Sequence, residues 1–138
     1  MSMRLEKSWG AWTMDFRPDF TIMESGLDFF VDWDKDFIGK KVALIEKIKG
    51  PTKKLSVIQI ETETDVSGDE AVMHNGECVS YITSGGYGHS VQRSLAMTYL
   101  PVELIDSKTT LEVEILGEFH KASIVMEPLY DPSGSKMR

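Results

Sequence analysis

The stretch at residues 71–101 constrains the fold of this chain more than any other part of the sequence. Two runs rich in apolar and β-branched residues flank Asn75-Gly76, and both residues of that dipeptide tolerate the positive φ angles of a two-residue hairpin turn. The returning run is interrupted at residues 83–88, where three of the last four positions are glycine. Glycines in a strand allow a bulge, a bend or the close approach of another element. We therefore predict a β-hairpin at Asn75-Gly76, a break at 83–88 and a renewed strand at 94–100.

The C-terminal part of the sequence is almost entirely typical of short antiparallel strands. At 111–115 apolar residues alternate with glutamates, which is the pattern of a strand with one face in a core and one face in water. Strands are also predicted at 55–61 and 119–126, with a turn at Gly117-Glu118. Short strands separated by regular turns favour a β-barrel or a β-sandwich. Cys78 lies within a predicted strand, and we expect its side chain to be small and buried.

A helix is predicted at 37–49, after a short strand at 26–33. Asp36 is the expected N-cap and Gly50-Pro51 the expected stop of this helix, because such residues are common at helix ends. Lysines gather between positions 35 and 54. A solvated helix face is the simplest interpretation of that cluster, and an anionic ligand tail lying along it is the alternative.

Residues 1–36 do not resemble the start of a domain. This short segment without periodicity is crowded with large aromatic side chains, namely Trp9, Trp12, Phe16 and Phe20. Large apolar groups in such a segment need another surface to cover them. The sequence therefore resembles a fragment, and we expect the covering surface to come from upstream chain.

Composition and charge exclude several classes of function. The chain has 138 residues and a formal charge of −7, whereas nucleic acids require concentrated positive charge. No apolar run is long enough to span a bilayer and no N-terminal stretch resembles a signal peptide, so we expect a cytoplasmic protein, or a mitochondrial matrix protein in a eukaryote. The single cysteine excludes an internal disulfide. Three widely spaced histidines do not supply the converging ligands of a metal site, and no catalytic residue is identified.

Glu6 is the residue whose role the sequence leaves most open. It lies just before two tryptophans, so it could be a carboxylate held in an aromatic setting. A buried carboxylate requires partners, and composition alone favours an ion pair with Arg4 or Lys7. The glycines at 85–88 are similarly ambiguous, and a bulge or loop is favoured over a ligand cradle because the phosphate-loop pattern is missing.

Five motifs, taken in their order along the chain, carry a family resemblance. They are RLEKSWGAW, MESGLDFFV, KDFIGKKVAL, TSGGYGHSVQRSLAMTYLP and LEVEILGEFHKASIVMEPLYD. In this order they resemble the C-terminal part of the folate-binding aminomethyltransferase family, which includes the glycine-cleavage T-protein. The resemblance covers residues 3–132 and is strongest to the module at the end of dimethylglycine and sarcosine dehydrogenases.

The resemblance implies a fold that is mainly β with one helix, in which an antiparallel β-barrel or jelly roll follows a short α+β segment. Residues 1–50 would be the end of the middle subdomain and residues 51–138 the C-terminal barrel. It also implies a tetrahydrofolate site, in which Glu6 matches the family glutamate that hydrogen-bonds the pterin. Lys35 falls near the position of a basic residue that approaches the folate, and Tyr87 is a candidate pocket residue.

The resemblance further implies that the chain is not catalytic by itself, because the family's catalytic aspartate and most of its pterin pocket belong to upstream subdomains. Those subdomains would be its partners and tetrahydrofolate its cofactor, with FAD added if a dehydrogenase domain precedes them. The alternative, from a different class of protein, is a stand-alone β-barrel interaction module without folate. In that case the aromatic cluster would dock another protein or form a homodimer.

Overall fold

Six antiparallel strands pair edge to edge until the last one hydrogen-bonds to the first, which closes a barrel. The protein is described here by a computed structural model that covers residues 2–137. The strands are β1 (Lys53–Ile60), β2 (Ala71–His74), β3 (Glu77–Gly88), β4 (Arg93–Pro101), β5 (Thr110–Ile115) and β6 (Glu118–Val125). Their order around the barrel is β1-β4-β3-β2-β5-β6. The predicted class, mainly β with an antiparallel barrel and one main helix, is confirmed.

Tight turns set the register of the two hairpins. Asn75 and Gly76 have φ angles of 51° and 82°, so the predicted hairpin turn between β2 and β3 is confirmed. Leu116 and Gly117, with φ angles of 53° and 86°, make the equivalent turn between β5 and β6. This turn lies one position earlier than the predicted Gly117-Glu118.

The predicted break at residues 83–88 is wrong, because β3 runs without interruption to Gly88. The irregularity is instead a shift in its register with β4 between Ile82 and Ser84, which is a β-bulge. A Cβ atom at Gly85 would lie 2.7 Å from Val66 Cγ1. The glycine therefore allows Val66, from the loop between β1 and β2, to enter the barrel core.

Alternating apolar residues from all six strands fill the barrel. The larger ones without exposed surface are Ile58, Val72, Ile82, Leu100, Leu111 and Val113. Each such side chain contributes about 1.5–3 kcal/mol by leaving water.

Cys78 does not belong to this core, contrary to expectation. It lies at the exposed start of β3, and its thiol donates to the main-chain oxygen of Ser80 at 3.4 Å.

The segment before the barrel contains two α-helices, α1 (Ser2–Glu6) and α2 (Lys40–Lys49). The predicted strand at 26–33 is wrong: its hydrogen bonds are local and form a 3₁₀ turn at Asp28–Phe30. The predicted helix begins later than expected, because Gly39 has a left-handed φ of 88° that a helix cannot include. No helix among residues 2–137 has the length and apolarity needed to cross a membrane.

Asp15 joins the N-terminal segment to the barrel, and its side chain is completely buried. Its Oδ2 accepts hydrogen bonds from Arg4 Nη1 at 2.9 Å and from the Ala11 amide at 2.8 Å. Its Oδ1 accepts from the hydroxyls of Thr83 and Ser84 on β3. One carboxylate thus holds α1, the loop after it and the bulged strand together, with hydrogen bonds to both of its oxygens.

Tyr99 on β4 provides a second attachment for the same segment. Its hydroxyl donates to the main-chain oxygen of Asp15 at 2.9 Å and lies 2.8 Å from Ser25 Oγ. Its ring stacks on Phe20 with 3.5 Å between the ring centroids. Burial raises the pKa of Tyr99, the hydrogen bond with Ser25 opposes this rise, and the negative charges of Asp15 and Glu24 add to it. The hydroxyl therefore remains protonated and can donate at neutral pH.

Glycines on β3 allow α1 to lie directly on the strand. A Cβ at Gly86 would lie 3.4 Å from Leu5 Cδ1, an ordinary contact. A Cβ at Gly88 would lie 2.9 Å from Val91 Cγ2 and 3.0 Å from Glu6 Cγ, which is closer than side chains pack. The close approach expected from the glycine-rich sequence is therefore present, and Glu6 is the residue that approaches.

We expect Asp15→Ala to lower the free energy of unfolding by about 3–5 kcal/mol, because it removes the carboxylate that pairs with the Arg4 guanidinium and accepts from two hydroxyls of β3. Urea unfolding followed by circular dichroism measures this change. Asp19→Ala is the matched control, since Asp19 forms only an exposed ion pair with Arg17, and its effect should stay within about 0.5 kcal/mol. Equal effects in the two variants would contradict the role given to Asp15.

Gly88→Ala should cost about 1–3 kcal/mol of stability, because the added methyl group must displace Glu6 or Val91. Gly86→Ala adds the same methyl group two residues earlier, where the space is sufficient, and should be close to neutral. Thermal unfolding of both variants in parallel measures the difference. If Gly86→Ala were as damaging as Gly88→Ala, the loss of glycine rather than the crowding of Glu6 would be the cause.

Candidate functional site

Glu6, at the end of α1, is a buried carboxylate held by the barrel. The residue is only 3% exposed, and its Oε1 accepts a hydrogen bond from the main-chain amide of Ser90 at 2.7 Å. Ser90 lies in the connection between β3 and β4. The side chain of Glu6 is thus oriented by a backbone donor that the barrel fixes in place.

In the part of the chain that the structure describes, no cation pairs with this carboxylate, although two basic residues are its neighbours in sequence. Arg4 pairs with Asp15 at 2.9 Å, and Lys7 pairs with Asp131 at 3.4 Å. The expected ion pair between Glu6 and Arg4 or Lys7 is therefore wrong. Within residues 2–137 the structure also gives Glu6 Oε2 no hydrogen-bond donor. A carboxylate oxygen to which the protein donates no hydrogen bond can accept one from a ligand, and a ligand with adjacent N–H groups would suit it.

Lys35 lies in a different environment from Glu6. Its side chain is 78% exposed, and its ammonium pairs with Asp32 at 3.2 Å. Its main-chain oxygen accepts a hydrogen bond from Lys40 Nζ at 2.8 Å. These contacts all lie within the surface segment before and at the start of α2, and none of them joins Lys35 to Glu6.

Tyr87 is 44% exposed and lies on β3 between the two glycines that face α1. Because successive residues of a strand point to opposite faces, its ring lies on the face away from Glu6. The ring meets His89 edge-on, with 5.2 Å between the centroids. Together with Ser94 and the loop at 62–66, both residues line a cavity of about 240 Å³ that does not include Glu6. The structure therefore does not bring Tyr87 and Glu6 into one cavity.

A larger apolar groove of about 670 Å³ separates the N-terminal segment from β1, β4 and β6. One wall carries aromatic side chains that face water, with Trp9 52%, Phe29 73% and Phe30 75% exposed. The opposite wall includes Val57 and Met97 from the barrel. A groove of this size with exposed aromatic rings is typical of a surface that another chain or segment covers.

Sequence reasoning missed Asp15 and Ser90, which together hold and orient the site. Asp15 is an ordinary acidic residue in the sequence, and only the fold brings Arg4, Thr83 and Ser84 to it. Ser90 acts through its main-chain amide, for which the residue type carries no signal. The glycine run was the one sequence signal for this region, because it marked where α1 could approach β3.

Comparisons with known proteins agree with these features. The sequence model of the glycine cleavage T-protein C-terminal barrel domain matches residues 53–131, which contain all six strands. Human mitochondrial dimethylglycine dehydrogenase is 40% identical over 93% of this chain and 15% of its own length. The aminomethyltransferase of Prochlorococcus marinus is 35% identical over 94% of this chain and 35% of its own length.

A solved structure shows the same fold. Glycine cleavage system aminomethyltransferase T from Bartonella henselae matches with a TM-score of 0.86 and 27% identity, over 95% of this chain and 38% of that chain. This chain thus spans only a part of each protein that it matches. One assignment accounts for the barrel, the matched residues and the order of the five motifs. The chain belongs to the glycine cleavage T-protein family, and its residues 53–131 form the C-terminal barrel domain of that family.

Proposed function

We propose that this chain forms one wall of a tetrahydrofolate site in a longer protein of the aminomethyltransferase or dimethylglycine dehydrogenase type, which transfers one-carbon units. The observation that supports this proposal best is the state of Glu6, which is buried, oriented by Ser90 and, among the residues from 2 to 137, not paired with a cation. Relatives named dimethylglycine dehydrogenase and aminomethyltransferase support the class of reaction.

The chemistry of a pterin suits a carboxylate in this state. A 2-aminopyrimidinone ring presents a ring N–H beside an exocyclic amino group, so that two donors point in one direction. An ionised carboxylate accepts hydrogen bonds through about four lone pairs, and the Ser90 amide uses one of them. The remaining positions can accept both ligand donors through charge-assisted bonds, which are stronger than neutral ones.

The remaining chain of the parent protein is the partner that fits the uncovered apolar surface. On α2, Val42, Ile45 and Ile48 are 72%, 53% and 85% exposed, so the apolar stripe of this helix is not buried by the barrel. Because relatives extend far beyond the matched segment, we assign the covering surface to their additional domains. In this proposal residues 1–50 complete the middle subdomain, residues 51–138 form the barrel, and the isolated chain is inactive.

The other candidate residues have weaker roles in this proposal. Lys35 supplies a mobile positive charge toward the anionic tail of folate, because an ammonium group cannot form the planar fork of arginine. Tyr87, on the opposite face of β3, reaches the ligand only if another domain extends the site around the strand. FAD belongs to the proposal only for a parent with a dehydrogenase domain. The mitochondrial matrix is the compartment proposed for a eukaryotic parent, as for the relatives named mitochondrial.

We expect Glu6→Ala in the full-length parent to weaken binding of 5-formyl-tetrahydrofolate by about 1–3 kcal/mol, or roughly 5- to 150-fold in Kd, through loss of charge-assisted hydrogen bonds. Isothermal titration calorimetry measures the change. Glu112→Ala, which removes an exposed glutamate from β5, is the control and should leave Kd unchanged. A Glu6→Ala variant that binds as tightly as the unmodified protein would remove Glu6 from the folate site.

A second function, protein docking without folate, is favoured by one observation: Trp12 is 77% exposed. Two members of the aromatic cluster support it less than expected, since Phe20 stacks on Tyr99 and Phe16 packs edge-on against Trp12. The docking surface of this alternative therefore consists of Trp9 and Trp12, and its simplest form is a homodimer.

Light scattering during size-exclusion chromatography separates the two functions. If the parent's own domains cover Trp12, we expect Trp12→Ser to leave the mass of the full-length parent unchanged, although it should reduce self-association of the isolated 15.5 kDa chain. Phe119→Ser is the matched control, because Phe119 is a comparably exposed aromatic residue on β6. Dissociation of the full-length parent by Trp12→Ser alone would instead favour the docking function.

A further inference from the structure

Helix α1, which carries Glu6, depends on contacts from elsewhere in the chain. It has only five residues, far fewer than the roughly 12–15 needed for even a marginally stable isolated helix. Its last main-chain oxygen, on Glu6, accepts a hydrogen bond from the amide of Tyr130 at 3.1 Å. Tyr130 lies beyond β6, in the C-terminal tail (residues 126–137). The tail therefore completes the end of the helix at the residue of interest.

An ion pair attaches the tail to the residue after Glu6. Lys7 Nζ donates to the main-chain oxygen of Asp131 and lies 3.4 Å from its Oδ2. The side chains are well shielded, with only 11% of Lys7 and 1% of Asp131 exposed. A shielded pair that also contains a hydrogen bond to the main chain is more restrictive than an exposed ion pair. Lys7 and Asp131 thus fix the distance between the tail and α1.

Asp131 also stabilises the turn at residues 131–136 of the tail. Its Oδ1 accepts from the Ser135 hydroxyl at 3.1 Å and its Oδ2 from the Lys136 amide at 3.2 Å. Desolvation alone would raise the pKa of Asp131, but these hydrogen bonds and the charge of Lys7 lower it below the ordinary value for aspartate. The carboxylate is therefore ionised at neutral pH and can hold the tail turn and Lys7 at the same time.

Glu6 is consequently held at two points by different parts of the chain. Its main chain is fixed by the tail through Tyr130, and its carboxylate by the β3–β4 connection through Ser90. The barrel orients Oε1 and packs against Leu5 and Glu6 of the helix, while the tail fixes the end of the helix at the main-chain oxygen of Glu6. Small displacements matter here, since hydrogen bonds weaken steeply as their geometry departs from the optimum.

We propose that Asp131, through Lys7 and the tail, is a positioning residue that places the Glu6 carboxylate for its ligand. This inference rests on the proposed folate site. It assigns to the C-terminal tail a part in ligand affinity, although residues 126–137 donate no hydrogen bond to Glu6 Oε1 or Oε2. Asp131 acts through the backbone of α1 and not by contact with the ligand.

A double-mutant cycle in the full-length parent tests the inference. The variants are Asp131→Asn, Glu6→Gln and the two combined, with Kd for 5-formyl-tetrahydrofolate measured by calorimetry. We expect Asp131→Asn to weaken binding about tenfold when Glu6 is present, and less than about twofold when Glu6 is already glutamine, because the two act as a unit. Asp19→Asn, at an exposed ion pair, is the control and should change neither value.

The outcomes separate this inference from the folate proposal. Unchanged binding in Glu6→Gln would overturn the folate proposal itself. Weaker binding in Glu6→Gln but not in Asp131→Asn would overturn only the positioning role. Equal losses from Asp131→Asn in both backgrounds would also overturn it, because the tail would then act through general stability.

A measurement without ligand adds a second test. Hydrogen exchange of the Ser90 amide, which depends on the position of Glu6, should become faster in Asp131→Asn and remain unchanged in Asp19→Asn. If Asp131→Asn does not fold, Lys7→Gln breaks the same ion pair from the other side, and Lys7→Arg should restore most of the affinity. Unaltered exchange at Ser90 in a folded variant would contradict the inference.

Discussion

The buried carboxylate of Asp15 is the interaction on which the rest of the structure depends. The barrel has its own apolar core, whereas in the N-terminal segment the buried apolar residues between positions 2 and 52 are only Leu5 and Met23. Removing a charge from water is costly, and a buried acid is tolerated only when its hydrogen bonds are complete. Asp15 meets that condition with four donors from three parts of the chain. The segment can therefore adopt this position only when all of those donors are assembled.

The bulge in β3 makes this assembly possible. A regular strand would direct Thr83 and Ser84 to opposite faces, but the register shift between Ile82 and Ser84 allows both hydroxyls to reach the same carboxylate oxygen. The glycines that follow then leave room for α1, and Gly88 leaves room for Glu6 in particular. The part of β3 from the bulge to Gly88 thus contacts both Asp15 and Glu6. Bulges are common next to functional sites.

Sequence patterns predicted the barrel better than the segment that docks on it, and the reason is physical. Alternation in β5 and the Asn75-Gly76 turn report local requirements that no other part of the chain overrides. Residues 26–33 have the alternation of a strand, but no described strand pairs with them. Their main-chain groups therefore form local hydrogen bonds instead. For Glu6, the sequence indicated a ligand contact only through family resemblance. Its neighbours Arg4 and Lys7 suggested an ion pair that the fold redirects to Asp15 and Asp131.

Asp15 and Glu6 are buried acids on or near α1, but they differ in how fully the protein satisfies their carboxylates. Asp15 has hydrogen bonds to both oxygens and an arginine beside it, so its desolvation is compensated inside the chain. Glu6 is nearly as buried, yet the described residues give it one amide and no cation. Both nearby cations form their ion pairs elsewhere, Arg4 with Asp15 through Nη1 and Lys7 with Asp131. The fold thus directs the available positive charge away from Glu6, and an incompletely compensated acid is the kind of local inconsistency that accompanies a binding role.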